Sequence, residues 1–472
     1  MARPKNEILI MGGGLAGLAA GSVLTQAGLG VKVFEKGATV GGLSRTIVHG
    51  GFRFDLGGHR FFTKNKKVEG FLQSLMDGEL LKVPRKSKIL FRNKYVDYPL
   101  KPLNAVSGMG VPMTLKAICD YALECIKRQY RASKMVSLED WIVSQFGRTM
   151  FNVYFKEYSE KVWGIECSKI SMEWVAERIK GLSLGTAVRN AFFGSNGNTI
   201  ATLADTFTYP SEGIGRISER LKGEIDKKNS VLLNVRVKRL CHNNFQIETA
   251  KTVNGHHSFS FEGPEVISSI PINDLVQMLD PKPPEDVLRA AAKLKFRDMV
   301  IVAIMLNRER VTDQNWIYIP EQKIPFGRLH EPTNWSPKMA PEGKTLLVME
   351  YFCFSGDETW CTRDEELVDN TVRNLEKLRL IKNGEVIDRV VVRVPKAYPL
   401  FEVGYQEHYN KICVYLGKFK NLHITGRGGM FKYHNMDQAI ASGMETAEKI
   451  IKRNSDFCGD YTKARVFAGA NA

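Results

Sequence analysis

Apolar and polar positions along the chain follow two different periods, and the switches between them mark its elements. Near the start, Ile8-Leu9-Ile10-Met11 is an unbroken apolar run leading straight into Gly12-Gly13-Gly14-Leu15-Ala16-Gly17. Such a run predicts a buried parallel strand. The small residues that follow, with Gly21 and Gly28, predict a helix packed closely on it. The next apolar run, Val31-Lys32-Val33-Phe34, ends in an acid, Glu35. Lys88 to Leu100 reads as a hairpin turning at Arg92-Asn93-Lys94. Apolar spacing then becomes helical over Leu115 to Arg131 and Ser137 to Phe146, the second opening with the capping sequence Ser137-Leu138-Glu139-Asp140. A helix is expected from Arg216 to Lys227, and one strand from Ser230 to Leu240. A hairpin turning at Val253-Asn254-Gly255-His256 leaves His256 and His257 in solvent. Glu265 to Pro271 reads as a buried strand, and Met299 to Leu306 and Thr345 to Phe354 are strand-like runs. Finally, Asn421 to Thr425 meets Gly426-Arg427-Gly428-Gly429, and a small-residue helix runs to about Ile451.

Composition narrows the class. With 472 residues and 43% hydrophobic content, the chain supports large cores and two or three domains. No stretch is long and apolar enough to cross a bilayer. The first strand begins within about eight residues, so no signal peptide and a cytoplasmic location are expected. Cysteines 119, 125, 167, 241, 353, 361, 413 and 458 show no ligand spacing, so they read as reduced and structural, and no metal site is expected. The net charge of +16 raises the local concentration of anions. There is no basic repeat interleaved with aromatics, so nucleic acid is not the expected partner. The first long helix ends in Lys127-Arg128, followed by Arg131 and Lys134. A helix packed in a substrate domain with a solvated basic end is expected there; a membrane-surface helix is the alternative.

The glycines carry the first specific chemistry. Gly12 suits the tight turn, Gly14 the approach of backbone N–H groups to a pyrophosphate, and Gly17 close helix–strand packing. Leu15 and Ala16 open the helix, whose positive end then faces the phosphates. Glu35, roughly 20 residues on, is placed to accept from ribose hydroxyls, with Lys36 beside it. The expected ligand is an adenine dinucleotide. A second turn, Gly41-Gly42-Leu43-Ser44-Arg45, suits a cofactor longer than NAD. A third glycine pair, Gly57-Gly58-His59, ends the strand that starts near Gly51.

Together these segments resemble the FAD-dependent superfamily of amine oxidases, protoporphyrinogen oxidase and UDP-galactopyranose mutase. The resemblance implies an α/β fold: a discontinuous Rossmann-like FAD-binding domain (1–78, 206–284, 396–453) with an inserted α+β substrate domain. That domain is mostly helical over 79–205 and β-rich over 285–395, and 454–472 form a tail. It implies FAD, with Gly41, Gly42, Leu43 and Arg45 near the diphosphate and flavin, and the backbone of Val237 clamping adenine. Gly57, Gly58 and His59 would lie against the flavin, bordered by Arg427, Met436, Asp437 and Gln438.

The remaining motifs are similar to the mutase branch. Charges alternating around Tyr158 and Trp163 suggest rings exposed in a cleft, and Tyr158-Ser159-Glu160-Lys161-Val162-Trp163-Gly164 resembles the segment that lines the uridine pocket. Pro325-Phe326-Gly327-Arg328-Leu329-His330-Glu331 resembles the motif whose arginine holds a sugar-nucleotide diphosphate in bidentate fashion. By the same resemblance Tyr398 and Tyr433 donate hydroxyls to substrate phosphates, with Lys432 adding positive charge. Leu182 stands where mutases carry a second arginine after the position of Arg178, Asn435 where an acid is usual, and Phe431 in place of a tyrosine. The implied function is a flavoenzyme acting on a nucleotide-activated or other phosphorylated sugar through N5 of reduced flavin, with His59, Arg328, Tyr398 and Tyr433 as catalytic residues. The alternative is an FAD-dependent oxidoreductase removing hydride from a porphyrinogen, amine or similar substrate; a flavin-binding structural subunit is the third reading. The expected partner is an anionic small molecule, and a homodimer is compatible with the chain.

Overall fold

The computed structural model describes residues 7–91, 94–98, 109–130, 135–173 and 206–457. Its first layer is a five-stranded parallel sheet in the order Leu422–Ile424, Val266–Ser268, Ile8–Met11, Val31–Phe34, Ser230–Leu232. Alternation sorts the strand residues between two cores. Ile8, Ile10, Val31 and Val33 face the helices Leu15–Gln26, Gly215–Asp226 and Met436–Phe457. Leu9, Met11, Phe34 and Val266 face a second core with the helices Ile272–Met278, Glu285–Lys293 and Tyr405–Leu416. Both faces are covered, which is why the strands read as unbroken apolar runs. The fold is the Rossmann-like one expected.

The sheet draws strands from the beginning, middle and end of the chain. A close helix crossing holds the ends together: a Cβ on Gly443 would lie 2.1 Å from the Ala16 carbonyl oxygen. Only glycine admits the C-terminal helix that near the first.

The second layer is a seven-stranded, mostly antiparallel sheet. Its order is Val386–Pro399, Phe296–Leu306, Thr345–Cys353, Arg328–His330, Trp316–Tyr318, Ser87–Phe91, Lys94–Asp97. Phe296–Leu306 and Thr345–Cys353 are buried throughout. The hairpin near residue 90 pairs as expected, although Arg92, Asn93 and Leu100 lie outside the described residues. Helices Val111–Tyr130, Leu138–Phe146 and Lys156–Trp163 form the third unit. Ser137 and Asp140 make the expected reciprocal capping box.

Two expectations change. The stretch from Ser230 to Leu240 is not one strand: it breaks between Ser230–Leu232 and Arg236–Asn243, with Asn234 in the left-handed region at φ 57°. The break wraps the chain around Glu35, whose N–H donates to the Leu232 carbonyl and whose carbonyl accepts from Val235. The helix Val111–Tyr130 does carry an exposed basic end, but much of its outward face is apolar. His256 and His257 are exposed as expected. Among the described residues no helix is long and apolar enough to cross a membrane, and the seven cysteines are free. Arg178, Leu182 and the tail beyond 457 lie outside the described residues.

Candidate active site

Three separated glycine turns meet at the start of the helix Leu15–Gln26. Gly41 N–H donates to the Gly13 carbonyl at 2.8 Å, and Gly14 bridges Gly41 in parallel. From the other side Gly426, at φ +76°, approaches so closely that a Cβ would lie 2.7 Å from the Ala16 Cβ. Gly17 is forced by packing, since a Cβ there would sit 2.1 Å from the Gly12 oxygen. Gly14 differs: a Cβ would meet nothing within 4 Å. The helix has no side-chain cap and no acid in its first turn, so its leading N–H groups face this open space. Glu35 stands at the edge, Oε2 accepting from Gly13 and Oε1 from Gly37, both at 2.8 Å. A carboxylate keeps further lone pairs for a ribose. Val237 is buried in the adjoining strand.

The side chains around this cradle fit a long anionic dinucleotide. Arg45 Nε, Arg427 Nε and Nη2, and His59 Nδ1 are buried with no hydrogen-bond partner. Buried donors left unpaired cost about 1–3 kcal/mol each, so a partner at this place is strongly favoured. FAD has the acceptors to supply one.

Beyond His59 lies a cluster of aromatic rings and two arginines, the pocket side chains. Arg328 extends from its short strand to Glu350, Nη1 to Oε2 being 3.3 Å. Burial works against the Arg328 charge, but Glu350 and the hydroxyls of Tyr158, Tyr398 and Tyr318 hold its pKa well above the ordinary value. Arg328 also donates a hydrogen bond to Tyr158 and lies 5.3 Å above the Phe352 ring. Tyr398 and Tyr433 stack with centroids 5.6 Å apart, and the Arg427 guanidinium sits over both rings at 4.8 and 4.3 Å. Burial pushes the Tyr398 hydroxyl up to about 12, against the pull of Arg328, so it is a neutral donor at ordinary pH. Burial, then Arg427 and Arg328, lowers His59 to about 4, leaving it neutral as well. The site therefore collects fixed positive charge and neutral donors.

Not every expected residue joins it. Trp163 is 3% exposed rather than open to a cleft. The helix end turns it inward, where its edge backs Tyr398 and Tyr433 at 6.3 and 6.0 Å. Lys432 is exposed; only its backbone N–H turns inward, to the Arg427 carbonyl. Gln438 is exposed, and its Oε1 accepts from Asn435 N–H at the start of the last helix. Lys36 points to solvent, Met436 is buried in the first core, and Leu43 is partly buried at the edge of the cluster that includes Tyr398. Asp437 is half-buried, its carboxyl raised by burial against a hydrogen bond from Thr63.

Four residues to which the sequence assigned no role organise the pocket, two of them, Lys161 and His330, inside the motifs. Glu350 is fully buried; its Oε1 accepts from Gly58 N–H at 3.0 Å, joining the third glycine pair to Arg328. His330 lies 3.7 Å from the same carboxylate and stacks on Trp335. Lys161 Nζ donates to the carbonyls of Ile319, Glu321 and Ile324, pinning the loop before Arg328 to the helix that bears Tyr158. Arg297 donates to the carbonyls of Val162, Lys161 and Phe352, and a Cβ on Gly164 would strike its guanidinium at 2.5 Å. Glu350 left one trace in the sequence, a lone acid in the apolar run Thr345 to Cys353.

Comparisons with known proteins agree with this geometry. Residues 15–451 match the family of flavin-containing amine oxidoreductases. Protoporphyrinogen oxidase 2 of Arabidopsis thaliana is 21% identical over 94% of both chains. Among solved structures, a reduced UDP-galactopyranose mutase superposes with a TM-score of 0.81 and 21% identity, covering 95% of this chain and 96% of that one. The cyclohexylamine oxidase of Brevibacterium oxydans gives 0.66 at 15% identity, over 96% of this chain and all of that one (100%). At these identities the structural likeness establishes the fold alone. With a family match over residues 15–451, the chain belongs to the flavin-containing amine oxidoreductase family, and its cofactor is FAD.

Proposed function

We propose that this flavoenzyme acts on a nucleotide-activated or other phosphorylated sugar, in the manner of a UDP-galactopyranose mutase. The observation that carries the reading is the charged site: Arg328 bonds the Tyr158 hydroxyl and faces that of Tyr398, while Arg427 lies over the rings of Tyr398 and Tyr433. Two largely desolvated guanidinium groups repel an ammonium substrate and attract an anionic one. An amine is therefore a poor occupant, despite the family's name.

In this reading Gly12, Gly14, Gly17, Glu35 and Val237 hold the adenosine half of FAD. Gly41, Gly42, Arg45 and the Gly426–Arg427 turn hold the diphosphate and flavin. Bound FAD supplies a ring nitrogen that is nucleophilic when reduced and accepts hydride when oxidised. The protein's own residues supply position and charge. Arg328, braced by Glu350 and Tyr158, holds a substrate diphosphate and stabilises it as a leaving group. Tyr398 and Tyr433 donate hydroxyl hydrogen bonds without adding charge. His59, neutral at Nδ1, can donate to or accept from whatever lies against the flavin. Trp163 keeps water from the back of the tyrosine pair.

The second reading is oxidation of an anionic organic substrate such as a carboxylated tetrapyrrole. The relative named protoporphyrinogen oxidase 2 supports it, and the same arginines suit a carboxylate. The decisive experiment incubates the dithionite-reduced enzyme with UDP-galactose and related sugar nucleotides and follows ring size by chromatography. UDP is expected to quench tryptophan fluorescence in the wild type and not in Arg328→Ala. Oxygen consumption with a tetrapyrrole, together with no response to UDP, would instead establish the oxidase.

A further inference from the structure

The helix Val111–Tyr130 presents its apolar side to solvent. Val111, Leu115, Ile118, Leu123 and Ile126 are between 54% and 69% exposed, and Cys119 and Ala122 are exposed among them. Residues 111, 115, 118, 122 and 126 recur at steps of four and three, so they form one stripe along a single face. Single exposed hydrophobics are ordinary on protein surfaces; a contiguous stripe is not.

The polar residues are arranged in the opposite sense. Asp120 turns inward, where it accepts from the Thr149 N–H and hydroxyl at 3.0 and 2.5 Å. Glu124 is 18% exposed and held by Lys127 at 2.7 Å. Lys116 and Lys127 are exposed on one flank of the stripe and Arg128 on the other, and the sequence continues to Arg131 and Lys134. The outward side is thus apolar in the middle and basic at its edges, with no exposed acid. We propose that this face docks the enzyme on an anionic lipid surface, the helix lying in the headgroup plane with its stripe in the acyl boundary.

A second copy of the chain fits the face less well. An isologous pair brings the same patch against itself. Antiparallel helices would then set Lys116 against Lys127 and Arg128, and no outward acid is there to compensate. A phosphate-rich bilayer supplies the opposite charge along both flanks. The opposite side of the same helix reaches the active-site wall: Met113 and Ala117 pack in the cluster that holds Trp163, Tyr398 and Tyr433. Docking would therefore bring the helical unit behind the pocket to the membrane, whichever substrate that pocket takes.

The test is co-sedimentation of the full-length, FAD-loaded protein with vesicles of equimolar phosphatidylcholine and phosphatidylglycerol, and with pure phosphatidylcholine. Wild type should pellet with the anionic vesicles, and high salt should weaken binding without abolishing it. Leu115→Ser/Ile118→Ser/Leu123→Ser should lose at least about tenfold in partitioning. Lys116→Gln, Lys127→Gln and Arg128→Gln should each lose roughly fivefold. Val414→Ser, at a hydrophobic residue 70% exposed on another helix, should bind as wild type. All these positions are exposed, so melting temperatures and flavin spectra should stay unchanged. Wild type remaining in the supernatant would overturn the proposal, as would equal binding by the serine variant. A wild-type dimer that the serine variant splits, seen by sedimentation velocity, would also overturn it, because the face would then belong to a second copy.

Discussion

The cradle at the head of the first helix and the pocket beyond His59 are built on opposite principles. The cradle is made of backbone: glycines that let strands, turns and helices approach closely, and N–H groups left facing open space. The pocket is made of side chains, carried by the helix Lys156–Trp163, the strands Arg328–His330, Thr345–Cys353 and Val386–Pro399, and the turn at Gly426. A backbone site tolerates almost no change in shape and is indifferent to chemistry elsewhere. A side-chain site keeps its shape when one member is truncated but loses its charge balance. The two regions should therefore fail differently: the cradle by losing flavin, the pocket by losing turnover with flavin still bound.

The largest effect is expected at Gly17. Its Cβ would enter the Gly12 carbonyl, so Gly17→Val must part the first helix from its strand. The purified variant should be colourless, with a melting temperature several degrees below wild type. A yellow Gly17→Val would show that the cradle is not where FAD sits. Next comes Arg328→Ala, which should remain yellow yet lose about 10²–10³ in turnover of its substrate. If flavin is lost along with turnover, the two regions are one cooperative unit and the contrast fails. Gly14→Ala is a smaller and sharper probe. Its Cβ meets no protein atom and its φ of −78° suits any residue, so the melting temperature of the apoprotein should not move. FAD affinity should fall about tenfold, as the methyl occupies the approach to the pyrophosphate. Titrating the apoprotein with FAD measures both.

The same contrast explains what the sequence revealed. Backbone sites need glycines at fixed offsets along a short stretch, so Gly12, Gly14, Gly17 and Glu35 could be read directly, and the strands around them were apolar because both faces are covered. The pocket depends on distant segments meeting. Arg328 was visible only through its resemblance to a motif, and its brace, Glu350, is supplied by another strand, paired in register with it. Trp163 shows the limit of local patterning: alternating charges around it suggested exposure, but it is the last residue of its helix and packs into the core of the helical unit. Lys432 and Gln438 adjoin residues that do face the site, and neighbourhood in sequence did not decide which way they point.

Charge gives the least conspicuous difference and the last way to test it. The pocket gathers cations, and its histidines respond. Burial, Arg328 and His59 together lower His330 to about 3, and His59 lies at about 4. In the unfolded chain both would titrate near 6.5. Between these values the unfolded state binds protons that the folded state refuses, so stability rises with pH there. It is complete above about 6.5 and is lost as pH falls toward 4. The melting temperature of the apoprotein should drop across that window, and His330→Gln should reduce the slope by close to one proton. The variant's lower starting stability does not confuse the result, because only the slope is compared. A variant with the wild-type slope would mean that His330 is protonated in the folded state, paired with Glu350 as a charged imidazolium. The pocket would then hold one more cation, and Glu350 would have two positive partners to balance instead of Arg328 alone.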